Sequence, residues 1–346
     1  MLHKNDRQIG DCDRALHCFE EAAALGNDDA VFLSGWIYDF GTTSFGKNYR
    51  KASEYYSRCK ENRPYALLCM GYLYENGKGV SADGKMAERL FEEGLKDIDV
   101  ESLLSNSSMN IYYELCRLIG AIYSDGNGVE RDFAEAVRYF ERGAELGNGH
   151  CYDCLGYIYD YGGYGVEQDY SKAVEYFEKG AELGNGSCFY RLGILYYYGE
   201  TIYEVERDYS KAIEYFENGA ELGNGSCYYQ LGSMYYDGDG VEQDYPKAIE
   251  YFEKGTKLGD GFCCCSLGNM YYEGGVVEQD FSKAVEYFEK AAMLGNGNGY
   301  DMLHILYDCG MGVTQDLDKS SDYYDKACEY FDRVESPPHI RNFGFQ

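Results

Sequence analysis

Histidine is scarce in this chain of 346 residues: His3, His17, His150, His304 and His339, with no Ser or acidic residue recurring at a fixed offset from them. A hydrolytic nucleophile and base set has little to be built from. Basic residues are also few, 31 Lys and Arg against 60 Asp and Glu, for a formal net charge of -29. Nucleic-acid backbones and anionic membrane surfaces are held through Lys and Arg clusters, so the charge argues against both and favours a basic protein or peptide. No apolar run approaches the ~20 residues that a membrane helix needs, which argues against direct insertion. The opening Met1-Leu2-His3-Lys4-Asn5-Asp6 lacks the apolar core of a secretory signal. The 14 cysteines then read as reduced thiols in the cytoplasm. A secreted or lumenal setting would apply to a fragment without its signal.

Repetition is abundant. A Lys-Ala-x-Glu-Tyr-Phe phrase recurs with its Ala at Ala15, Ala52, Ala87, Ala136, Ala173, Ala212, Ala248 and Ala284, and with Ser320 in the ninth place. Seven of the eight intervals lie between 35 and 39 residues, the range of stacked supersecondary units. From Tyr209, the residues Ala212, Tyr215, Phe216, Ala220 and Leu222 keep the spacing of one apolar helical face. Asp208 precedes it as an N-cap, and Gly223-Asn224-Gly225 follows as a left-handed stop. Cys227, Leu231, Met234 and Tyr235 then keep helical spacing again, and Gly232 presents bare backbone where another helix can approach. Each unit is expected to be a helical hairpin, and the chain one elongated domain.

The pattern Ala-x3-Leu-Gly-x2-Tyr-x2-Gly-x-Gly-Val-x2-Asp-x2-Lys-Ala-x2-Tyr-Phe-x2-Ala resembles the Sel-one-like repeat (SLR) family, a branch of the tetratricopeptide-like solenoids. The resemblance implies an all-α, right-handed superhelical solenoid of antiparallel helix pairs, about eight repeats, over residues 13–331. The Leu-Gly helix is helix A of each pair and the Lys-Ala helix is helix B. Residues 13–25 form a lone B helix, and the A helices begin near Ala30, Ala66, Tyr112, Cys151, Cys188, Cys227, Cys263 and Tyr300. Residues 1–12 precede the array and 332–346 form a tail, in which Pro337-Pro338 ends helix. An insertion at 97–110 and a smaller one at Thr201-Ile202-Tyr203 read as surface loops. In the last unit His304 stands for Gly and Ser320 for Ala, which suggests a looser or capping pair. With its own A helix lost, the Leu16, Phe19 and Ala23 face of the first helix is expected to be half uncovered unless residues 1–12 or a partner close it. A capped solenoid and a piece of a longer array both fit that start.

His150-Cys151-x2-Cys154 and Cys263-Cys264-Cys265 suggest a metal or redox site, but a single CxxC supplies only two ligands. Cys151, Cys188, Cys227 and Cys263 all stand four residues before the repeat Leu, where the family has Ala, so packing is the better reading. Some secreted family members staple each hairpin with a disulfide; most units here lack a consistent second Cys, and the pairing is not carried over. Gly77-Lys78-Gly79, Gly126-Asn127-Gly128 and Gly238-Asp239-Gly240 lack the strand and the Lys-Ser/Thr ending of a phosphate loop and read as helix-to-helix turns. Val241 occupies a ligand position in the one calcium-like stretch, which rules it out. Asn185-Gly186-Ser187 and Asn224-Gly225-Ser226 match glycosylation sequons but read as turns. No catalytic residue, cofactor or metal is assigned.

The 39 tyrosines are the strongest functional feature. Tyr159, Tyr196, Tyr235 and Tyr271 in helix A, and Tyr176, Tyr215, Tyr251 and Tyr287 in helix B, belong to the framework. The A-helix positions two before, two after and five after the repeat Leu supply Asp153, Tyr157, Asp160, Tyr190, Ile194, Tyr197, Tyr229, Ser233, Tyr236, Cys265, Asn269 and Tyr272. The family likeness implies that this side lines a concave groove, which Tyr suits by combining contact area with a hydrogen-bonding tip. The alternative is packing between repeats. Asp153, Tyr157, Tyr190, Ile194, Tyr197, Tyr229, Ser233, Tyr236, Asn269 and Tyr272 are the candidate partner-binding residues. On this reading Tyr190→Ala and Tyr229→Ala weaken partner capture and leave helicity intact.

The expected function is a non-enzymatic adaptor or scaffold that holds a basic or amphipathic protein segment. SLR-like proteins act as scaffolds in signalling, in membrane-protein quality control and in bacterial interactions with host cells, as the resemblance implies. Two alternatives stand beside it: a regulatory subunit or module that activates an enzyme such as a kinase or glycan synthase, and a secreted Cys-rich repeat protein with hydrolase-like activity.

Overall fold

The structure, a computed structural model, describes residues 15–41, 46–60, 63–96, 98, 110–199 and 206–334. Those residues form an all-α repeat solenoid of helix pairs and divide into two compact units, Met1–Asn148 with Gly163–Val166, and Gly149–Gly162 with Glu167–Gln346. The insertion at 97–110, except residues 98 and 110, lies outside the described residues. So do Thr201-Ile202-Tyr203, the segment 1–12 and the tail beyond residue 334.

In the first unit, α1 (residues 15–24) precedes three hairpins: α2/α3 (Asp28–Phe40, Tyr49–Tyr56), α4/α5 (Arg63–Asn76, Gly84–Lys96) and α6/α7 (Asn110–Asp125, Phe133–Glu145). Leu16 and Ala23 of α1 are not half uncovered as expected; they are buried in one core with Ala30, Phe32 and Tyr56, and Phe19 packs against it. The first hairpin supplies the cover. Tyr38 and Tyr55 stack at 5.8 Å, and their hydroxyls donate to Glu20 of α1 at 2.7 and 3.1 Å. Gly163–Val166 belongs to this unit through Tyr164, whose carbonyl accepts from the Phe133 amide at 3.0 Å while the two rings meet edge to face.

The second unit holds five hairpins: α8/α9 (Gly149–Tyr161, Tyr170–Glu182), α10/α11 (Gly186–Tyr198, Tyr209–Glu221), α12/α13 (Gly225–Asp237, Tyr245–Lys257), α14/α15 (Gly261–Glu273, Phe281–Met293) and α16/α17 (Gly297–Cys309, Leu317–Val334). Each B helix starts on an Asp whose carboxylate accepts an amide three residues on, as Asp208 does from Lys211 at 3.0 Å. The Gly-Asn-Gly tripeptide does two jobs. Gly223, at φ +86, ends α11, while Asn224 caps α12 by accepting from the Cys227 amide at 3.2 Å. The A helices therefore start two or three residues earlier than the apolar pattern indicated. Leu222, assigned to the apolar face, is instead the C-cap residue of α11 and is half exposed, because the helix has ended before its side chain can turn inward.

Inside a hairpin, the repeat Gly receives the B-helix Phe: a Cβ on Gly232 would lie 2.5 Å from the Phe252 ring. Between hairpins, the A-helix Cys sits on a B-helix Gly: a Cβ on Gly219 would lie 2.5 Å from Cys227 Sγ. Burial raises the Cys188, Cys227 and Cys263 thiols above their ordinary range, which withholds the thiolate that metal binding or nucleophilic attack would use. Among the described residues no disulfide joins the cysteines, and no group of three His, Cys, Asp or Glu is placed to hold a metal ion.

Much of the tyrosine forms columns. Tyr159/Tyr176, Tyr196/Tyr215, Tyr235/Tyr251, Tyr271/Tyr287 and Tyr307/Tyr323 stack at 5.6–5.7 Å. A lysine stands over the A-helix ring of each, from Lys172 over Tyr159 to Lys319 over Tyr307. Half-buried phenol pairs with cationic lids account for many tyrosines without a ligand.

Candidate partner-binding face

The A helices of the second unit lie beside one another, and the repeat Leu sets their phase. In α10 this is Leu192; Gly193, one residue on, receives Phe216 from its own B helix, and Tyr196, four on, stacks on Tyr215. One residue turns a helix by about 100°, so the side opposite helix B carries positions five and one before the Leu, and two and six after it. In α8 these are His150, Cys154, Tyr157 and Tyr161; in α10, Ser187, Arg191, Ile194 and Tyr198; in α12, Ser226, Gln230, Ser233 and Asp237; in α14, Phe262, Ser266, Asn269 and Glu273.

The sequence-level stripe shares only the position two after the Leu with this side. The position two before it points to the following repeat, and the position five after it sits between the start of its own helix B and the following repeat. Asp153 and Tyr157 are buried, 2% and 7% exposed, and therefore offer little surface to a partner. Asp153 Oδ1 lies 4.0 Å from Arg191 Nε, an ion pair without a hydrogen bond to that oxygen. Burial raises the Asp153 carboxyl to about 6, with Arg191 opposing it, and raises Asp160 in the same way.

Tyr190 is half-buried against Phe216 and hydrogen-bonds with Gln230 of α12. Tyr197 donates to Asp239 of the next hairpin at 2.5 Å. Burial first, then that carboxylate, raises its pKa. Tyr229 packs on Phe262 at 5.5 Å, Tyr236 meets Tyr245 edge to face, and Tyr272 meets Phe281 likewise. Ile194 and Ser233 are half-buried and Asn269 is exposed.

Other residues stand out further. Tyr161, Tyr198 and Phe262 are 48%, 40% and 45% exposed, and Asp237 and Glu273 are exposed at the same end of their helices as Tyr161 and Tyr198. Sequence reasoning missed these five because it took its phase from the Leu alone. The Leu-Gly pair held the signal: the Gly must face the B-helix Phe, and that fixes the opposite side.

The same hairpins recur in known proteins. The Sel1 repeat matches residues 7–27, 28–58, 64–96, 112–148, 155–185, 190–224, 225–260, 261–296 and 305–329. The solved Sel1 repeat protein of Oxalobacter formigenes is similar at 27% identity, with a TM-score of 0.59 over 76% of this chain and 99% of that one. A protective antigen of uropathogenic Escherichia coli with an SLR fold is similar at 29% identity, with a TM-score of 0.53 over 91% of this chain and 64% of that one. The HRD3B component of an ERAD-associated E3 ubiquitin-protein ligase of Arabidopsis thaliana is 29% identical over 84 residues, 24% of this chain and 14% of that protein. A sel1-like repeat-containing protein of Acanthamoeba polyphaga mimivirus is 37% identical over 75 residues, 21% of this chain and 14% of its own length. Both alignments thus span a small part of the curated relatives. With nine successive repeat matches between residues 7 and 329, the chain belongs to the Sel1 repeat family.

Proposed function

We propose that the A-helix face of α8 to α14 binds a basic or amphipathic segment of another protein, and that the chain serves as a non-enzymatic scaffold. Sel1 repeat proteins typically mediate protein–protein interaction and are generally non-catalytic. The observation that carries the reading is the make-up of this face. Tyr161 and Tyr198 project from it at the helix ends that carry Asp237 and Glu273, Phe262 projects at the other end, and its one Lys or Arg among the described residues, Arg191, is engaged by Asp153. Lysines instead stand over the tyrosine columns, on the side of helix A toward helix B. Aromatic anchors next to unneutralised carboxylates suit a segment with apolar and cationic side chains. The HRD3B relative is a component of a ubiquitin ligase, which supports a role exercised in company with other proteins. Among the described residues no helix is long and apolar enough to cross a membrane.

The test uses two designed amphipathic helical peptides, one Leu/Lys and one Leu/Glu. The Leu/Lys peptide is expected to bind, to be released as salt rises, and to bind the Tyr161→Ala/Tyr198→Ala variant at least about fivefold more weakly. Equal binding of the Leu/Glu peptide, or an unchanged affinity in the double variant, would sink the proposal.

A further inference from the structure

The acidic pair of α8 has a counterpart. Asp153 and Asp160 stand two before and five after the repeat Leu of α8, and Asp301 and Asp308 stand at the same places in α16. In α8 the following A helix answers the pair, because Arg191 of α10, one before its own Leu, reaches Asp153 and acts on both carboxyls. In α16 both carboxylates are exposed, and no hairpin follows α17 among the described residues.

The partner helix repeats the message with apolar groups. In α15, Phe288 and Ala292 are buried, and Gly299 and Gly312 of the next hairpin press on Ala291 and on the Phe281 backbone. The residues of α17 at the places of Phe281 and Ala292 are Leu317 and Cys328, and both are exposed; Tyr324, at the place of Phe288, is 51% exposed because His304 stands where Gly268 receives Phe288. Phe331, seven residues after Tyr324, extends the row. Among the described residues no further hairpin covers the surface that receives a following A helix elsewhere in this unit.

We propose that the face formed by α16 and α17 docks an arginine-bearing helix of a partner protein, seated as the A helix of a further hairpin would be. Charge selects the occupant. Asp301, Asp308, Asp318 and Asp325 flank the row, whereas Lys326 is paired with Asp322 at 2.6 Å and Lys319 covers Tyr307. A second copy is poorly supplied with such a helix, since the arginines of its described A helices, Arg63, Arg117 and Arg191, are engaged with Glu93, Glu114 and Asp153. The surface is separate from the face of α8 to α14 and does not depend on the function proposed for it.

The probe is a peptide that copies residues 186–198, with two lysines added for solubility, and a control peptide with Glu at the place of Arg191. The full-length protein is expected to bind the Arg peptide, and the Asp301→Asn/Asp308→Asn variant to bind it about fivefold more weakly, with unchanged helicity because both side chains are exposed. The Tyr161→Ala/Tyr198→Ala variant is expected to bind it normally. Equal binding of the Glu peptide, or indifference to the Asp variants, overturns the proposal. Binding that appears only after removal of residues 335–346 makes the chain's own tail the occupant and also overturns it. So does self-association that the Asp variants abolish, which makes the occupant a second copy.

Discussion

Glu289 Oε1 accepts a hydrogen bond from the Tyr307 hydroxyl at 3.2 Å, so an acid that follows the B-helix Phe of one hairpin holds a tyrosine column of the next. Glu20 does the same for Tyr38 and Tyr55. Glu178, Glu217 and Glu253 each add to the raised pKa of the B-helix Tyr one hairpin on, Tyr215, Tyr251 and Tyr287, where burial is the larger cause. The Glu20→Ala change is expected to cost about 1–2 kcal/mol and Tyr38→Phe about 1 kcal/mol. Because the two residues share one bond, the double variant should cost less than the sum, which a double-mutant cycle by urea denaturation reads directly.

Asp39 and Asp153 are both raised to about 6 by burial, opposed by the Tyr56 hydrogen bond at Asp39 and by Arg191 at Asp153. A carboxyl with a raised folded pKa favours the fold in its protonated form. Its penalty is absent below the ordinary carboxylate pKa, grows as pH rises from about 4 to about 6, and then levels off. Each group is expected to remove up to about 3 kcal/mol at neutral pH. Asp153→Asn should flatten the loss of stability between about pH 4 and 6.5. A variant whose pH profile matches the parent's would exclude Asp153 as a source of that slope.

Two glycines of one hairpin separate two kinds of constraint. Gly232→Ala puts a methyl 2.5 Å from the Phe252 ring and should cost about 2–3 kcal/mol, since the Phe has no free space to move into. Gly223→Ala meets no neighbour within 4 Å but must hold φ at +86, and should cost about 1 kcal/mol. Thermal unfolding of the two variants gives the ranking, which reverses if the hairpin repacks around the new methyl.

Tyrosines on the two sides of an A helix should respond differently to truncation. Tyr161→Ala and Tyr198→Ala remove exposed rings and should change stability by less than about 0.5 kcal/mol. Tyr190→Ala and Tyr229→Ala strip rings from Phe216 and from Phe252 and Phe262, and should cost about 2 kcal/mol each. Circular dichroism melts of the four variants distinguish the sides. Partner binding lost with Tyr190→Ala at full stability would restore the original stripe.

The hairpin was legible in the sequence because Asp caps, helical spacing and Gly stops are local, and each recurs. The side of helix A that faces solvent was less so. Tyr190 and Tyr198 are both aromatic residues on one helix, and only the seat of Phe216 on Gly193 says which points outward. His304 and Ser320 read separately as two weak substitutions. In the structure His304 Nδ1 lies 2.8 Å from Ser320 Oγ, and Tyr324 has left the place where Gly would have received it. A pair of departures that compensate each other across 16 residues leaves no mark in a periodicity.

The double duty of Gly-Asn-Gly bears on how such an array can diverge. In the second unit every connection from helix B to the next helix A is three residues, 183–185, 222–224, 258–260 and 294–296. The connections from A to B vary: 162–169, 199–208, 238–244, 274–280 and 310–316. A tripeptide that closes one helix and opens the next cannot absorb an added residue without losing one of its two caps. In the second unit the variable connections are therefore confined to one edge of the repeats, the edge next to Tyr161, Tyr198, Asp237 and Glu273, whereas in the first unit the long connection, 97–109, runs from helix B to helix A. Drift in loop length can rewrite the border of the proposed binding face while leaving the stacking of hairpins alone.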